Sequence, residues 1–198
     1  SYGGKSWREW HDDVKFRKPA ALSRIKNDNV KEIEFYKFLQ FEFFSQWFAL
    51  KTYANGLGIR IVGDIPIYVS DDSVDVWCNT KLFDLDENLC PRVVAGCPPD
   101  AYSADGQLWG MPVYNWEYMK AEKKPYSWWR ARISHALKIY DTVRIDHFRG
   151  LESYYCIKYG AKNAKKGKWR KGPGLELFEY FRKDHGKNKK LPIIAEDL

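Results

Sequence analysis

The chain has 198 residues, and its 33 Lys and Arg against 26 Asp and Glu leave a formal charge of +7. With 44% hydrophobic and 30% charged residues it can bury a core, which excludes wholesale disorder; no run approaches the ~18 apolar residues of a membrane span, and no apolar core follows a basic flank at the start, as a secretory signal would require. Aromatic residues, 17% of the chain with 9 Trp, 13 Tyr and 11 Phe, are the outlying number and suit a protein that packs or stacks on flat apolar faces.

The length is that of one domain. In chain order, Asn29 to Ala54 reads as one long helix, because Ile33, Tyr36, Phe38, Phe41, Phe44, Trp47, Phe48 and Leu50 recur at three- and four-residue steps. Asn29 with Glu32 makes a capping box and Gly56 a stop. Ile59 to Val69 follows as a β-branched run short enough for a buried strand. Residues 70 to 124 show no helical or strand period and are rich in Asp, Pro, Gly and Trp, too long for a plain loop, so they read as a small inserted subdomain. Ser127 to Tyr140 carries Trp129, Ile133, Leu137 and Tyr140 on one helical stripe and runs into a strand, Thr142 to Phe148. Leu175 to His185 is the third helix, Gly186 its cap, and Leu191 to Glu196 the third strand. Helix then strand, three times over, argues for an α/β fold with parallel strands joined by crossovers.

Such strands form either an open doubly wound sheet or a closed barrel, and periodicity does not choose between them. The strand ends carry more information. Alternate residues of a strand share a face, so Arg144 and Asp146 point one way while Val143 and Ile145 point the other. Each strand delivers a carboxylate at or near its C-terminal end, Asp64, Asp146 and Glu196, where barrel enzymes assemble their sites. A single acid there is ordinarily a helix cap or an ion-pair partner; three in register favour chemistry.

Positive charge is concentrated between Ile157 and Lys190, where twelve Lys and Arg face only Glu176, Glu179 and Asp184. A run this local is either a phosphate-binding patch or, more commonly, a solvated loop and helix face. Cys78, Cys90, Cys97 and Cys156 include no Cys-x-x-Cys pair and no His at ligand spacing, which suits reduced thiols in a cytosolic protein rather than a metal site.

Four segments resemble one family. Gly63 to Val69 followed by Asp72, Ser73, Asp75, Val76 and Trp77, Val94 to Trp116 (VAGCPPDAYSADGQLWGMPVYNW), Val143 to Gly150 (VRIDHFRG) and Ile193 to Leu198 (IIAEDL) are similar, in order and spacing, to the amylomaltases, the 4-α-glucanotransferases of glycoside hydrolase family 77. Gly167, Trp169, Gly172, Pro173 and Gly174 extend the resemblance over nearly the whole chain. It implies a partial (β/α)8 TIM barrel, roughly the third to fifth strands, forming one partial domain over residues 1–198 with the 70–124 insertion as a substrate-covering loop. It also implies transfer of an α-1,4-glucan segment between maltodextrins through a covalent glycosyl-aspartate, in the cytoplasm, with no cofactor, metal, nucleic acid or membrane.

By the same resemblance Asp146 is the nucleophile and Glu196 the acid/base. A retaining mechanism asks for two carboxyl groups about 5 to 5.5 Å apart, one ionised and one protonated. Arg144 shares the face of Asp146 and its positive charge would hold that carboxylate ionised, while Glu196 needs a drier setting and the negative charge of Asp146. Asp64, Tyr68, Asp100, Tyr102, Gln107, Trp109 and His147 are implied to bind substrate or to organise the site. His147 also reads as a core histidine and Trp109 as core packing. Two positions depart from the family pattern: Ala101 where an aromatic is usual, and Met111 where Asn is common. The first barrel strands and the family's third carboxylate, an Asp following a His in a later strand, are not in this sequence, so the segment alone is expected to lack activity. A retaining α-glucan hydrolase, a carbohydrate-binding piece without catalysis, and a nucleic-acid module resting on the basic run are the other readings.

Overall fold

The computed structural model describes residues 3–186 and 190–196. By internal contacts the chain separates into two compact units, residues 1–61 and 62–198.

The first unit is helical. A short 3-10 turn at Trp7–Glu9 precedes α1 (Asp12–Lys15), α2 (Pro19–Asp28) and α3 (Val30–Gly56). Pro19 starts α2 because its fixed φ suits a first helical position. The long helix is where the periodicity places it, but the expected capping box does not form. Asn29 lies between α2 and α3, and its side-chain amide donates to the carbonyl of Ile25 at 2.8 Å, so the preceding helix claims the group that would have capped the next. α3 ends at Gly56, with Leu57 as its cap and positive φ only at Gly58. None of its described residues is buried: Phe35, Phe38, Phe41, Phe43, Phe48 and Tyr53 are exposed, spread around the helix rather than along one stripe.

The described residues of the second unit form seven strands. β1 (Val62–Pro66) is followed by α4 (Val74–Cys78), a 3-10 turn at Thr80–Leu82, β2 (Val93–Cys97), β3 (Gln107–Pro112), α5 (Trp116–Ala121) and α6 (Ser127–Ile139). β4 (Thr142–Asp146), a 3-10 turn at Phe148–Leu151, β5 (Ser153–Lys158), β6 (Lys168–Lys171), α7 (Leu175–His185) and β7 (Ile193–Ala195) complete it. β1, β4 and β7 form a parallel sheet in the order β1-β4-β7, so each helix-then-strand repeat contributes one strand. The strands are shorter than expected. β1 begins at Val62 because its partner begins opposite it at Thr142, and it ends at Pro66, whose ring lacks an N–H for the ladder. β4 stops at Asp146 because His147 turns left-handed at φ 53°.

A second, antiparallel sheet has the order β3-β2-β5-β6. Two of its strands come from residues 70–124 and two from 153–171, so the insertion shares a sheet with a later stretch of chain. Val94, Tyr155, Ile157 and Ala164 form its buried cluster.

α6 buries Trp129, Ile133 and Ala136, with Leu137 and Tyr140 half-buried, and α7 buries Leu177 and Phe181. Val143 and Ile145 of β4 are fully buried, which assigns that face of the strand to the core and leaves Arg144 and Asp146 on the other. α6 and α7 are joined by two bonds of the Arg130 guanidinium to the Asp184 carboxylate, at 2.6 and 2.7 Å, and by Ser134 against His185 at 2.7 Å. In the basic run Lys165 pairs with Asp105 and Arg170 with Asp84; Lys187 and Lys189 lie outside the described residues. Among the described residues no disulfide joins the four cysteines. Among the described residues no helix is long and apolar enough to cross a membrane, and no three His, Cys, Asp or Glu side chains could together hold a metal ion.

Candidate active site

Register puts the charges together. Asp64 on β1 is the direct neighbour of Arg144 on β4, and Pro66 of Asp146. Arg144 Nη1 donates to Asp64 Oδ2 at 2.6 Å while Nη2 lies 3.0 Å from Asp146 Oδ1, so one guanidinium bridges carboxylates from two strands. Desolvation is the largest single influence on that guanidinium and opposes its charge, but the hydrogen bonds and charges of Asp64 and then Asp146 together outweigh it and raise its pKa above the ordinary arginine value.

Glu196 arrives from the other side. It follows β7 directly, its backbone N–H donates to Ile145 at 3.2 Å, and its carbonyl accepts from Phe148 at 3.0 Å. The backbone N–H of His147 donates to Glu196 Oε2 at 2.8 Å, which fixes this carboxylate to the residue next to Asp146. A left-handed backbone costs a non-glycine residue about 1–2 kcal/mol, and here it aims the His147 N–H at Glu196. Gly150 leaves room for the turn: a Cβ there would stand 2.8 Å from Ile67 Cδ1 and 2.9 Å from His147 Cδ2. Burial is the main cause holding the His147 ring below the usual histidine pKa, assisted by the charge of Arg149 and partly offset by Glu196 and Asp146, so the imidazole is neutral at neutral pH.

An aromatic wall stands beside these groups. The Trp109 ring meets the His147 ring edge-to-face at 4.8 Å and tilts against Tyr68 at 6.3 Å, and Tyr68 stacks on Tyr114 at 5.9 Å. Trp109 Nε1 donates to Gln107 Oε1 at 3.0 Å, so these two residues of β3 satisfy each other. Tyr68 is only 4% exposed, and burial pushes its hydroxyl well above the ordinary tyrosine value.

The structure therefore brings together Asp64, Tyr68, Gln107, Trp109, Arg144, Asp146, His147 and Glu196. Asp100 and Tyr102 do not enter this set of contacts. Asp100 Oδ1 accepts from the N–H groups of Tyr102 and Ser103 at 2.8 and 2.7 Å, shaping its own turn, and Tyr102 is fully exposed. Of the motif IIAEDL, Asp197 and Leu198 lie outside the described residues. The sequence reading missed Arg132, which donates to the carbonyls of Pro66 and Ile67, and the part played by Tyr114, whose hydroxyl donates to Ile67. Helical periodicity marks Trp129 and Ile133 as core and is silent about an arginine between them.

Acidic side chains thus stand at or near the C-terminal ends of parallel strands, with one cation shared between two of them and an aromatic wall alongside. A family model described as 4-alpha-glucanotransferase matches residues 1–198. The chain is 50% identical over 194 residues to the 4-alpha-glucanotransferase of Clostridium butyricum and 49% identical over 195 residues to that of Aquifex aeolicus, covering 98% of this chain and 39% of each relative. Among solved structures, the amylomaltase from Streptococcus agalactiae in complex with acarbose superposes with a TM-score of 0.92 at 43% identity, over 100% of this chain and 39% of that one. The chain belongs to the 4-alpha-glucanotransferase family and spans about two-fifths of the length of the relatives it matches.

Proposed function

We propose that the protein is a retaining 4-α-glucanotransferase to which this chain contributes the nucleophile, Asp146, and the acid/base, Glu196. The observation that carries the reading is the Asp64–Arg144–Asp146 bridge beside a Glu196 held by the His147 N–H: two carboxylates from neighbouring strands meet at one turn in different surroundings. An oxygen of Asp146 attacks C1 of the donor sugar, the bond to the glycosidic oxygen breaks, and the proton on Glu196 passes to that oxygen. The released chain leaves, the 4-hydroxyl of an acceptor gives its proton to Glu196, and its oxygen displaces Asp146 from C1. Every proton and electron pair is accounted for by the two carboxyl groups, so the reaction needs no cofactor.

The neutral His147 ring offers one donor and one acceptor to sugar hydroxyls, and its edge contact with Trp109 fixes its plane. Trp109 and Gln107 form a surface for the ring of the incoming sugar, with Tyr68 behind them. The acarbose bound to the related amylomaltase supports an oligosaccharide substrate. In this reading β1, β4 and β7 are consecutive strands of a (β/α)8 barrel, roughly its third to fifth, residues 1–198 make one partial catalytic domain, residues 70–124 form the substrate-covering insertion, and the enzyme acts on maltodextrins in the cytoplasm.

The test is maltotriose given to the full-length enzyme. Glucose together with a ladder of longer glucans is expected; glucose and maltose with no longer products would replace transfer by hydrolysis.

A further inference from the structure

The exit of β1 is fixed by a residue that belongs to neither the sheet nor the carboxylate cluster. Beyond Pro66 the ladder ends, and the carbonyls of Pro66 and Ile67 lose the partners a strand would give them. Ile67 is 2% exposed, and a buried carbonyl without a partner is costly. Both carbonyls are taken by Arg132 of α6: Nη2 donates to Pro66 O at 2.6 Å and Nη1 to Ile67 O at 3.1 Å. The planar fork of a guanidinium can bridge two successive carbonyls in this way, and a lysine ammonium, a point donor, cannot reproduce it. The guanidinium in turn rests over the rings of Trp128 and Trp129, 5.3 and 5.0 Å from their centroids, and the Tyr114 hydroxyl donates to the same Ile67 carbonyl at 2.7 Å.

What leaves this clamp is Tyr68, the residue on which Trp109 leans. The clamp thus fixes the angle at which the chain departs from the strand carrying Asp64, and with it the wall Tyr68–Trp109–His147. Asp146 and Glu196 are instead carried by β4 and β7, and Arg144 meets β1 only through Asp64, inside the ladder and before the exit that Arg132 clamps.

We propose that Arg132 is a positioning residue for the acceptor sugar: by clamping the Pro66 and Ile67 carbonyls it holds the Tyr68–Trp109 wall in register with Asp146 and so decides whether a sugar hydroxyl or water takes the glycosyl group. This rests on the transferase reading above. Its effect separates from a general loss of structure because the attack by Asp146 does not need the wall aligned for an acceptor, whereas capture by a weakly held 4-hydroxyl does. Misplacement by about 1 Å can cost up to ~100-fold in a step that depends on orientation.

The experiment compares full-length wild type, Arg132→Met, Arg132→Lys and Arg130→Met. Arg130 sits two residues away on the same helix, and its substitution removes the pair with Asp184 without touching β1. Each protein is given maltotriose over a range of acceptor concentrations, and α-glucosyl fluoride as a donor that needs little help in leaving. For Arg132→Met the ratio of hydrolysis to transfer should rise roughly tenfold and the acceptor KM with it, while fluoride cleavage changes less than about twofold. Arg132→Lys should fall between Met and wild type, and carries the same test if the Met variant does not fold. Arg130→Met should lower the melting temperature and leave the ratio unchanged. Equal losses of fluoride cleavage and transfer, or a ratio unchanged in both Arg132 variants, would overturn the positioning role. A wild type that redistributes no chains would overturn the transferase reading and this inference with it.

Discussion

Gly96→Ala tests whether β2 holds β3, and hence Gln107 and Trp109, where the site requires them. Gly96 faces Leu108 across the β2–β3 pair, next to an irregularity in register after Val94. A Cβ at this position would overlap the backbone carbonyl of Gln107 and stand 2.5 Å from Ile157 Cδ1. The isoleucine can turn away; the carbonyl cannot retreat without opening the pair. Forcing a methyl into a packed interior costs about 1–3 kcal/mol, and loss of a ladder hydrogen bond adds about 1, so the change should destabilise the protein by roughly 2–4 kcal/mol. Gly110→Ala is the matched control. It has φ +78° but nothing within 4 Å of the added carbon, and so bears only the left-handed backbone cost of about 1–2 kcal/mol. Urea denaturation of the full-length enzyme, followed at the midpoint of the transition, should rank Gly96→Ala well below Gly110→Ala, and Gly96→Ala should also slow transfer because Gln107 moves with its carbonyl. A Gly96→Ala protein within about 0.5 kcal/mol of the parent would refute the packing argument.

Four further outcomes are expected. Asp146→Ala should abolish transfer, whereas Glu196→Gln should slow maltotriose far more than a glycosyl fluoride, whose leaving group needs little protonation; equal losses would count against the acid role. Trp109→Ala should raise hydrolysis relative to transfer with donor cleavage less affected, read as reducing-end release against chain-length redistribution, and an unchanged ratio would return the ring to core packing. Asp64→Asn should slow formation of the glycosyl-enzyme by one to two orders of magnitude, since Arg144 loses the partner that orients its fork; single-turnover rates matching wild type would remove Asp64 from the site. His147 is depressed in the folded protein, so the unfolded chain takes up its proton first and stability falls as pH drops below the ordinary histidine value of 6.5, the loss ending at the folded pKa; His147→Asn, which tolerates the left-handed backbone, should flatten the slope of melting temperature against pH in that range, and parallel slopes would refute it.

The parallel sheet and the face on which its charged residues lie were legible because they depend on alternation, a property of adjacent residues. Val143 and Ile145 are apolar, Arg144 and Asp146 are charged, and a two-residue period assigns each pair to a face without knowledge of the partner strand. Strand ends were less legible because they depend on the neighbour: Val62 begins β1 only because Thr142 begins β4, and Asp146 ends β4 only because His147 turns. The unformed cap at Asn29 has the same cause, a preceding helix that competes for the side chain. Arg132 was illegible for a stronger reason. Its partners are two backbone carbonyls 65 and 66 residues away, and a backbone carbonyl leaves no mark in a sequence.

In the proposed mechanism the division of Arg144 between two carboxylates gives Asp64 a purpose without a reacting role. An arginine facing a single carboxylate tends to grip both oxygens through a bidentate fork, and a nucleophile so held would have to break a charge-assisted bond at each oxygen before attacking. Here Asp64, the direct neighbour of Arg144 across the β1–β4 ladder, takes Nη1 at 2.6 Å and leaves Nη2 to reach Asp146 through Oδ1 at 3.0 Å. Asp146 keeps a positive neighbour through one oxygen, and the fork is turned by a partner fixed in the adjacent strand. The pairing that makes the sheet therefore also sets how tightly Asp146 is held, and in the proposed reaction Arg132, acting at the end of β1 where Pro66 aligns with Asp146, would bear on the fate of the glycosyl group.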